Sequence, residues 1–449
     1  MRACAALLSV LVLGVGCESS PAPDDPGPTP SPSAEASKVR RGGTLRFGVL
    51  GEPATLDPYG RYASDLTDQL VTPVFPTLFR VLPDGSIEPY LASGTEAVPG
   101  GIRVMLGEVR WSDGRRLSAA DVVASARRAT PRSGFARATS VRAIDERTVE
   151  FKGDVSEWRT VLARRSFILP RGRARLRVSA GPFRLRERVP GLRLSYTANR
   201  RFGGDGPLLD RLEVSHVQDL GTLIGLLRRG RLDAALVPSA VNLGDRLEAR
   251  DLDFDARLGW EAIIMDLSVG GLSESARAEL VSALDIEALH EGLIRSDGRV
   301  TRTLTPDPGP NGADGPATRF VTSDPSLNGL GITIAVPVGD ELLEQLQRAI
   351  QIRLNRYGVI SELISGGVSD FYGPWRERSP ADIALMRTSG FPGLSGDAAQ
   401  EGYRMLPLFH VKTYTVWRGR VRGVRTNASG AGPFWNAEHW WLDREPEGD

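Results

Sequence analysis

The sequence is poor in cysteine, histidine and lysine. Its 449 residues include two Cys and four His, and the lysines are Lys38, Lys152 and Lys412. Two cysteines are too few for a disulfide-stabilised scaffold or for a zinc or iron–sulfur site built from Cys ligands. Acidic and basic residues balance, at 55 Asp+Glu and 56 Lys+Arg, so the chain lacks the basic excess of nucleic-acid-binding proteins. The cysteine count excludes a disulfide scaffold and a Cys-rich metal site, and the balanced charge argues against a nucleic-acid partner.

Motifs of the common enzyme classes are also missing. The nearest match to the nucleophile motif G-x-S-x-G, Gly393–Asp397, has Asp in place of the last Gly. The sequence contains no phosphate-binding P-loop and no G-x-G-x-x-G dinucleotide motif. His290-Glu291 begins like a zinc-binding helix, but Ile294 stands where the second His is required. We therefore expect a protein that is not an enzyme and has no catalytic residue, cofactor or metal.

The first 17 residues combine a basic start, an apolar run over 5–15 and both cysteines, Cys4 and Cys17. This pattern is typical of a secretory signal peptide, which we predict over 1–16, and the run is too short to cross roughly 30 Å of hydrocarbon as a helix. Its end resembles a lipobox, in which cleavage leaves a lipidated cysteine, although Gly14 stands where that pattern has Leu. We expect a lipid on Cys17. The alternative is a secreted or periplasmic protein in which Cys17 has no role.

A segment without large apolar side chains follows, over 18–37. Pro, Ser, Ala, Asp and Gly dominate it, and such a composition cannot bury enough apolar surface to offset the entropy of ordering. Its prolines favour extended conformations. We therefore expect 17–38 to be the lipidated Cys17 and a disordered tether that holds the folded body away from a membrane. The body, from about Val39 onward, contains no Cys.

Alternating strand and helix patterns predict an α/β body. The apolar runs Ile332–Val336 and Val359–Ile364 flank an amphipathic segment, Glu341–Leu354, which together predict a strand–helix–strand unit. A short helix over 221–227, closed by a glycine, leads into another apolar strand. A longer amphipathic helix is predicted over Ala276–Leu293.

Motifs in a fixed order along the body resemble one protein family. The most specific is Val109–Gly114 with Leu117–Val123, which predicts a strand, an Asp-Gly turn and a helix capped by Ser118 and Asp121. The others are Gly42–Arg46 with Glu52–Pro58, Gly181–Phe183 with Asn199–Gly204 and Leu209–Leu212, Gly230–Asp233, Ala283–Leu289, and Pro407–Phe409. Each motif alone is weak. The ordered set is similar to the extracytoplasmic solute-binding proteins of the peptide/nickel (oligopeptide/dipeptide) class of ABC importers over nearly the whole body.

The resemblance implies a bilobal α/β fold of the periplasmic-binding-protein type with three domains. Transferred to this chain, domain I comprises 39–75, 179–265 and 404–449, domain II comprises 76–178, and domain III comprises 266–403. The family has a long, mostly helical stretch where this chain passes almost directly from Asp397 to Met405. Domain III is therefore expected to be shortened. The ligand is expected between the lobes, which close on it by a hinge motion.

The resemblance also implies candidate ligand contacts. The family's ligand-binding aromatic corresponds to Phe391, and peptide-binding members have an acidic residue three positions later that holds the ligand's α-amino group. Leu394 occupies that position here, and Asp397 is the candidate substitute. Trp375 and Tyr372 lie in the region that usually faces the cleft, and for these aromatics packing in the core remains the alternative. Core packing is the prediction for four other tryptophans: Trp111, Trp435, Trp440 and Trp441.

The resulting functional expectation is a monomeric, membrane-tethered solute-binding lipoprotein. It captures a peptide or other small-molecule ligand between two lobes and delivers it to the permease subunits of an ABC importer. Its location is extracytoplasmic, with the N-terminal lipid in the cell membrane. The alternative is a degenerate family member that serves as a surface interaction or sensory lipoprotein without transport, which Leu394 and the short domain III favour.

Overall fold

The computed structural model describes residues 39–172, 175–204, 206–247, 252–295, 298–301, 327–388, 404–427 and 432–443. The side chains of 255–260 in β12 and those of Arg175 and Arg376 are excepted. The predicted signal peptide, Cys17 and the tether lie outside these ranges, and so do Phe391, Leu394 and Asp397.

Strands and helices alternate along the described chain. The strands are β1 (Thr44–Leu50), β2 (Phe79–Val81), β3 (Ile87–Pro89), β4 (Ala92–Val98), β5 (Gly101–Leu106), β6 (Ser140–Ala143), β7 (Thr148–Lys152), β8 (Phe183–Val189), β9 (Arg193–Ala198), β10 (Arg211–Val217), β11 (Ala234–Pro238), β12 (Leu252–Asp266), β13 (Gly298–Val300), β14 (Gly331–Pro337), β15 (Ile360–Gly366), β16 (Ile383–Thr388), β17 (Met405–Arg418), β18 (Val421–Arg422) and β19 (Trp441–Leu442). The helices are α1 (Asp65–Val71), α2 (Ala119–Ala126), α3 (Trp158–Ala163), α4 (Leu220–Arg228), α5 (Leu243–Leu247), α6 (Glu274–Ala283), α7 (Ile286–Leu289), α8 (Glu341–Asn355), α9 (Val368–Phe371) and α10 (Trp375–Arg378).

Two long strands join the two lobes of the body. The largest sheet has eleven strands, in the order β15-β14-β16-β12-β17-β11-β1-β10-β9-β8, with β13 paired to β17 off this path. Strands β12 and β17 run antiparallel, from the pair Leu252–Arg418 to the pair Asp266–Met405. At one end β17 pairs with β11, and at the other β12 pairs with β16. We call the β11 side the first lobe and the β16 side the second lobe; both include part of each crossing strand.

The first lobe is built around β1, which lies parallel to both β10 and β11. The Phe47 ring packs on Phe434 and Trp440 at centroid distances of 4.7 and 6.0 Å, and all three are at most 1 % exposed. The predicted core packing of Trp435 and Trp441 is confirmed, since both are also buried. Burial of such large rings supplies much of the apolar stabilisation of a core.

Asp233 connects three parts of the first lobe. Its carboxylate is fully buried directly before β11 and accepts hydrogen bonds from the Arg46 backbone N–H at 2.8 Å and from the guanidinium groups of Arg46 and Arg420. Arg46 belongs to β1, and Arg420 lies between β17 and β18. Asp233 is the last residue of the Gly230–Asp233 motif. Its ion pairs with Arg46 and Arg420 hold β1, β11 and the connection between β17 and β18 together.

A separate four-stranded sheet, β4-β5-β7-β6, packs against α2. The predicted capping box is confirmed, because Asp121 accepts the Ser118 backbone N–H at 3.0 Å. Trp111 is fully buried, as predicted. The strand predicted at Val109 is wrong: only one isolated bridge forms there, between Arg110 and Arg116, because the chain turns back at once on itself.

The second lobe contains the predicted strand–helix–strand unit. Strands β14 and β15 are parallel and joined by α8, whose apolar face packs on them. The single helix predicted over Ala276–Leu293 is wrong. Leu284 has extended backbone angles (φ −84°, ψ 134°), which end α6, and Asp285 then caps α7 by accepting the Ala288 N–H at 3.0 Å. The helix cap at Asp285 is therefore favoured over one continuous amphipathic helix through Leu284.

Candidate functional site

A cleft of about 360 Å³ lies between the two lobes. Its first-lobe wall is formed by the loop after β1, including Glu52, and by the segment from Arg61 to Gln69, which leads into α1. Its second-lobe wall is formed by the ends of β14 and β16 and by Tyr372. Glu261 of β12 and Thr413 of β17 lie where the two strands cross between the lobes. The cleft is therefore built on the shared strands.

The lobes touch around this cleft. Gly339, which follows β14, has φ +86°, and a Cβ atom there would lie 2.0 Å from the Gln218 carbonyl oxygen of the first lobe. An ion pair joins Arg61 of the first lobe to Glu377 of the second at 2.8 Å. Glycine permits both the positive φ and this close backbone approach. The two lobes are therefore in direct contact beside the cleft.

Arg387, at the end of β16, organises the second-lobe wall. Its guanidinium is 9 % exposed and donates to Asp340 at 2.6 and 3.1 Å. It also donates to the Ser239 carbonyl oxygen of the first lobe at 2.9 Å. Burial alone would lower the pKa of Arg387, but Asp340 and Glu261 raise it above the ordinary value, so the side chain stays charged. A single buried cation thus contacts both lobes.

Glu261 lies beside this cation without a close contact to it. Its carboxylate oxygen is 3.7 Å from the Arg387 guanidinium and accepts a hydrogen bond from the Thr413 hydroxyl at 3.0 Å. Burial raises the pKa of Glu261, while Arg387 and Thr413 lower it; Asp65 and Asp340 raise it further, and the net shift is upward. The register of β12 and β17 shifts between Leu258 and Glu261, an irregularity of the kind that re-aims side chains near functional sites.

In the ion-pair cluster of the first-lobe wall, two acidic side chains are matched by two basic ones. Arg132 donates to Asp65 at 2.7 Å and to Asp68 at 3.1 Å, and Arg165 contacts the same two carboxylates. This cluster is placed by α1, which begins at a capping box between Ser64 and Thr67.

Glu52, in the loop after β1, has its own partners. It accepts from Arg188 at 2.8 Å and from the Gly191 N–H at 2.6 Å. Burial would raise its pKa, but these two donors outweigh burial and lower it. The Glu52 carboxylate is therefore charged and paired.

The structure separates the two described aromatic candidates. Tyr372 lines the cleft, and its hydroxyl oxygen accepts the Arg387 backbone N–H at 3.1 Å. Trp375 is not part of the lining and stacks on the buried Phe371 ring at 4.8 Å. Phe391, Asp397 and the lipidation candidate Cys17 lie outside the described residues. A ligand contact stays a prediction for the four cleft candidates.

The cleft residues that sequence reasoning missed are Glu261, Asp340, Arg387 and the pair Asp65–Arg132. They come from five distant segments, and no local motif marks any of them. Within the described ranges, no three His, Cys, Asp or Glu side chains come together as metal ligands. Over the same ranges, no helix has the length and apolar character needed to cross a bilayer.

Three comparisons relate the chain to known proteins. The family model for bacterial extracellular solute-binding proteins, family 5 (middle region), matches residues 87–328, which is more than half of the chain. No curated protein matches significantly. Similar solved structures exist at low sequence identity, so they bear on the fold alone.

Three of these structures illustrate the likeness. The oligopeptide-binding protein AppA from Bacillus subtilis, solved with a nonapeptide, has 16% identity and a TM-score of 0.75, covering 91% of this chain and all of its own. OppA from Burkholderia pseudomallei has 16% identity and a TM-score of 0.76, covering 90% and 99%. NikA from Staphylococcus aureus, solved with Ni(L-His)2, has 14% identity and a TM-score of 0.72, covering 87% and 98%.

These matches confirm the resemblance and the bilobal α/β fold class predicted from the sequence. The family is a class of extracellular solute-binding proteins and not a class of enzymes. The chain therefore belongs to the bacterial extracellular solute-binding proteins, family 5.

Proposed function

We propose that this protein captures a peptide-like or other small solute in the interlobe cleft and delivers it to the permease subunits of an ABC importer. The observation that carries the proposal is the cleft itself: about 360 Å³, lined by both lobes and placed where the two shared strands pass between them. A concave site between lobes with apolar walls and a few convergent polar groups is the usual form of a small-molecule site.

The proposed mechanism is lobe closure without catalysis. Strands β12 and β17 are the only described strands that belong to both lobes, and their pairing is irregular near Glu261, which is where we place the hinge in this proposal. A ligand that contacts both walls binds the closed form better than the open form and shifts the equilibrium toward it. Arg387, which contacts Asp340 in one lobe and Ser239 in the other, supports closure from the protein side.

The volume of the cleft limits which ligands fit. Its volume of about 360 Å³ lies at the lower end of the range of roughly 300–1,000 Å³ for small-molecule pockets. Related folds were solved with ligands as different as a nonapeptide, Ni(L-His)2 and agropinic acid. This volume favours a short peptide or a small solute over a nonapeptide.

The binding proposal is tested by thermal unfolding against a library of short peptides and small solutes. A ligand that binds only the folded protein raises its unfolding temperature by mass action. Small-angle scattering with the saturating ligand then tests closure, and the radius of gyration is expected to fall. A well-folded protein that no library member stabilises would contradict the importer function. An unchanged radius with bound ligand would contradict the hinge mechanism alone.

The proposed attachment is a lipid on Cys17, followed by the tether over 18–38. We expect Cys17→Ala to release the protein from the membrane fraction and to leave the precursor unprocessed, as shown by fractionation and by the mass of the N-terminus. Normal processing and membrane association of the variant would contradict lipidation and leave ligand binding untouched.

A second candidate function is a surface interaction or sensory lipoprotein without transport. Leu394 favours it, because an apolar side chain cannot pair with a ligand ammonium where peptide-binding relatives have an acid. The two functions are distinguished by uptake of the identified ligand in cells that lack the gene. Unchanged uptake together with tight binding in vitro would favour the sensory function.

A further inference from the structure

Two carboxylates of the cleft share one guanidinium. Arg387 makes both of its short contacts to Asp340, at 2.6 and 3.1 Å, whereas its distance to Glu261 is 3.7 Å. Thr413 supplies a neutral hydroxyl to Glu261 and no charge. Among the described residues, Glu261 therefore has no basic partner of its own.

The other acids of the cleft wall have such partners. Asp65 pairs with Arg132, Glu52 with Arg188, and Glu377 with Arg61. The described lining thus carries one negative charge more than its ion pairs neutralise.

The surroundings of Glu261 make an unmatched charge costly. Its side chain is 17 % exposed, and apolar groups such as Val49, Leu236 and Met386 line the same cleft. A carboxylate in such surroundings destabilises the folded protein unless a cation and hydrogen-bond donors compensate for its lost hydration. Burial accordingly raises the pKa of Glu261. Apart from Arg387, no described side chain brings a positive charge to Glu261, so a cationic group on a ligand would offset this cost.

The geometry points to Glu261 as the anchor for a cationic nitrogen, an amine or a guanidine, on a small solute with an otherwise largely apolar body. The unmatched carboxylate selects a positively charged ligand, the apolar walls favour an apolar ligand body, and the cleft volume of about 360 Å³ limits the size of the ligand. Glu261 is thus a specificity-determining residue of the cleft. This inference rests on the proposed function, because it requires the cleft to be the ligand site.

The test uses the full-length mature protein and probes that differ in charge. Leucyl-leucinamide carries one cation, N-acetyl-leucyl-leucinamide is neutral, and N-acetyl-leucine carries one anion. Dissociation constants are measured by calorimetry for the unchanged protein and for Glu261→Gln, Glu261→Asp and Glu187→Gln. Glu187 is an exposed acid of β8 that contacts Arg193 outside the cleft, so its variant is the matched control.

We expect the amine to bind at least tenfold more tightly than the neutral and anionic probes. Loss of one partner of a buried charge pair weakens binding by roughly 30-fold or more, which is the effect expected for Glu261→Gln on the amine. Glu261→Asp should recover part of the affinity, and Glu187→Gln should match the unchanged protein. Without ligand, Glu261→Gln should unfold at the same or a higher temperature, because it removes a buried charge; a purely structural carboxylate would give a lower temperature.

Three outcomes distinguish a failure of the role given to Glu261 from a failure of the proposed function. Undiminished binding of the amine by Glu261→Gln overturns the role of Glu261 and leaves the proposed function standing. If the unchanged protein binds the neutral or the anionic probe more tightly than the amine, the role of Glu261 is likewise overturned and the proposed function still stands. Absence of binding by all three probes, together with no stabilisation by the wider library, overturns the proposed function and this inference with it.

Discussion

Replacement of Asp233 by Asn tests how the first lobe is held together. The Asp233 carboxylate is fully buried and accepts five hydrogen bonds, at 2.6 to 3.1 Å, from the Arg46 backbone and from the two guanidinium groups of Arg46 and Arg420. Asn keeps the size of the side chain and one acceptor oxygen but removes the charge. Both arginines then face an amide instead of a carboxylate.

The expected loss of folding free energy in Asp233→Asn depends on how deeply Asp233 and its two arginine partners are buried. Removal of one partner from a buried ion pair costs about 3–5 kcal/mol of folding free energy. Arg46 and Arg420 remain 37% and 21% exposed, so they regain some hydration in the variant. We therefore expect the lower end of the range, about 3 kcal/mol. For the exposed pair of Glu187 with Arg193, Glu187→Gln should cost less than about 1 kcal/mol.

The assay is urea unfolding followed by circular dichroism, with both variants measured at pH 7 and pH 3.5. Burial opposes ionisation of Asp233, but the two arginines lower its pKa below the ordinary 3.8. Its stabilisation is thus present above pH 3.8 and is lost as the pH falls through the lower folded-state pKa, so the difference from Asp233→Asn should narrow at pH 3.5. A cost below 1 kcal/mol at pH 7, or one equal to that of Glu187→Gln, would refute the reasoning.

Two further predictions concern closure and pH. Gly339→Ala places a Cβ atom 2.0 Å from the Gln218 carbonyl oxygen of the other lobe, so it should oppose closure and lower ligand affinity about tenfold or more. Gly329→Ala, at a similar φ of +80° with no atom within 4 Å, should bind normally in the same calorimetric titration. Equal affinities of the two variants would rule out the steric block. His216 donates from Nδ1 to the Gly51 carbonyl oxygen at 2.9 Å, and burial lowers its pKa below 6.5 although Glu52 opposes the shift. The neutral imidazole therefore stabilises the fold above pH 6.5, and this contribution is lost as the pH falls through the lower folded-state pKa. The unfolding temperature should drop less between pH 7.5 and 5.5 for His216→Gln than for the unchanged protein, and an equal drop would contradict the neutral state.

Sequence reasoning succeeded where local pattern and tertiary packing agree. The β14–α8–β15 unit was predicted because its apolar spacing and its caps point to the same structure. The predicted helix across Leu284 failed because a cap at Asp285 overrides amphipathic spacing, a competition that periodicity does not reveal. The predicted strand at Val109 failed because one bridge replaces a ladder there.

The cleft chemistry was beyond reach for a different reason. Asp340 follows β14, Arg387 lies in β16 and Glu261 in β12, and the strand order β14-β16-β12 makes these three elements neighbours although they are far apart in the chain. Charge matching between them depends on distances of a few ångströms, and sequence spacing contains no such information. Tyr372 was found from a family resemblance alone, and its place in the cleft wall follows from the hydrogen bond to the Arg387 backbone.

The strand order also dictates when the protein can fold. In the first lobe β1 pairs with β10 and β11, and β11 in turn pairs with β17, which begins only at Met405. A ribosome or a translocation channel must therefore release almost the entire chain before this sheet is complete. Such distant pairings make folding slow, since loop-closure entropy is lost before the contacts that compensate for it can form. The large sheet therefore stays incomplete until residue 405 is available, whereas the four-stranded sheet of β4 to β7 can form from residues 92–152 alone.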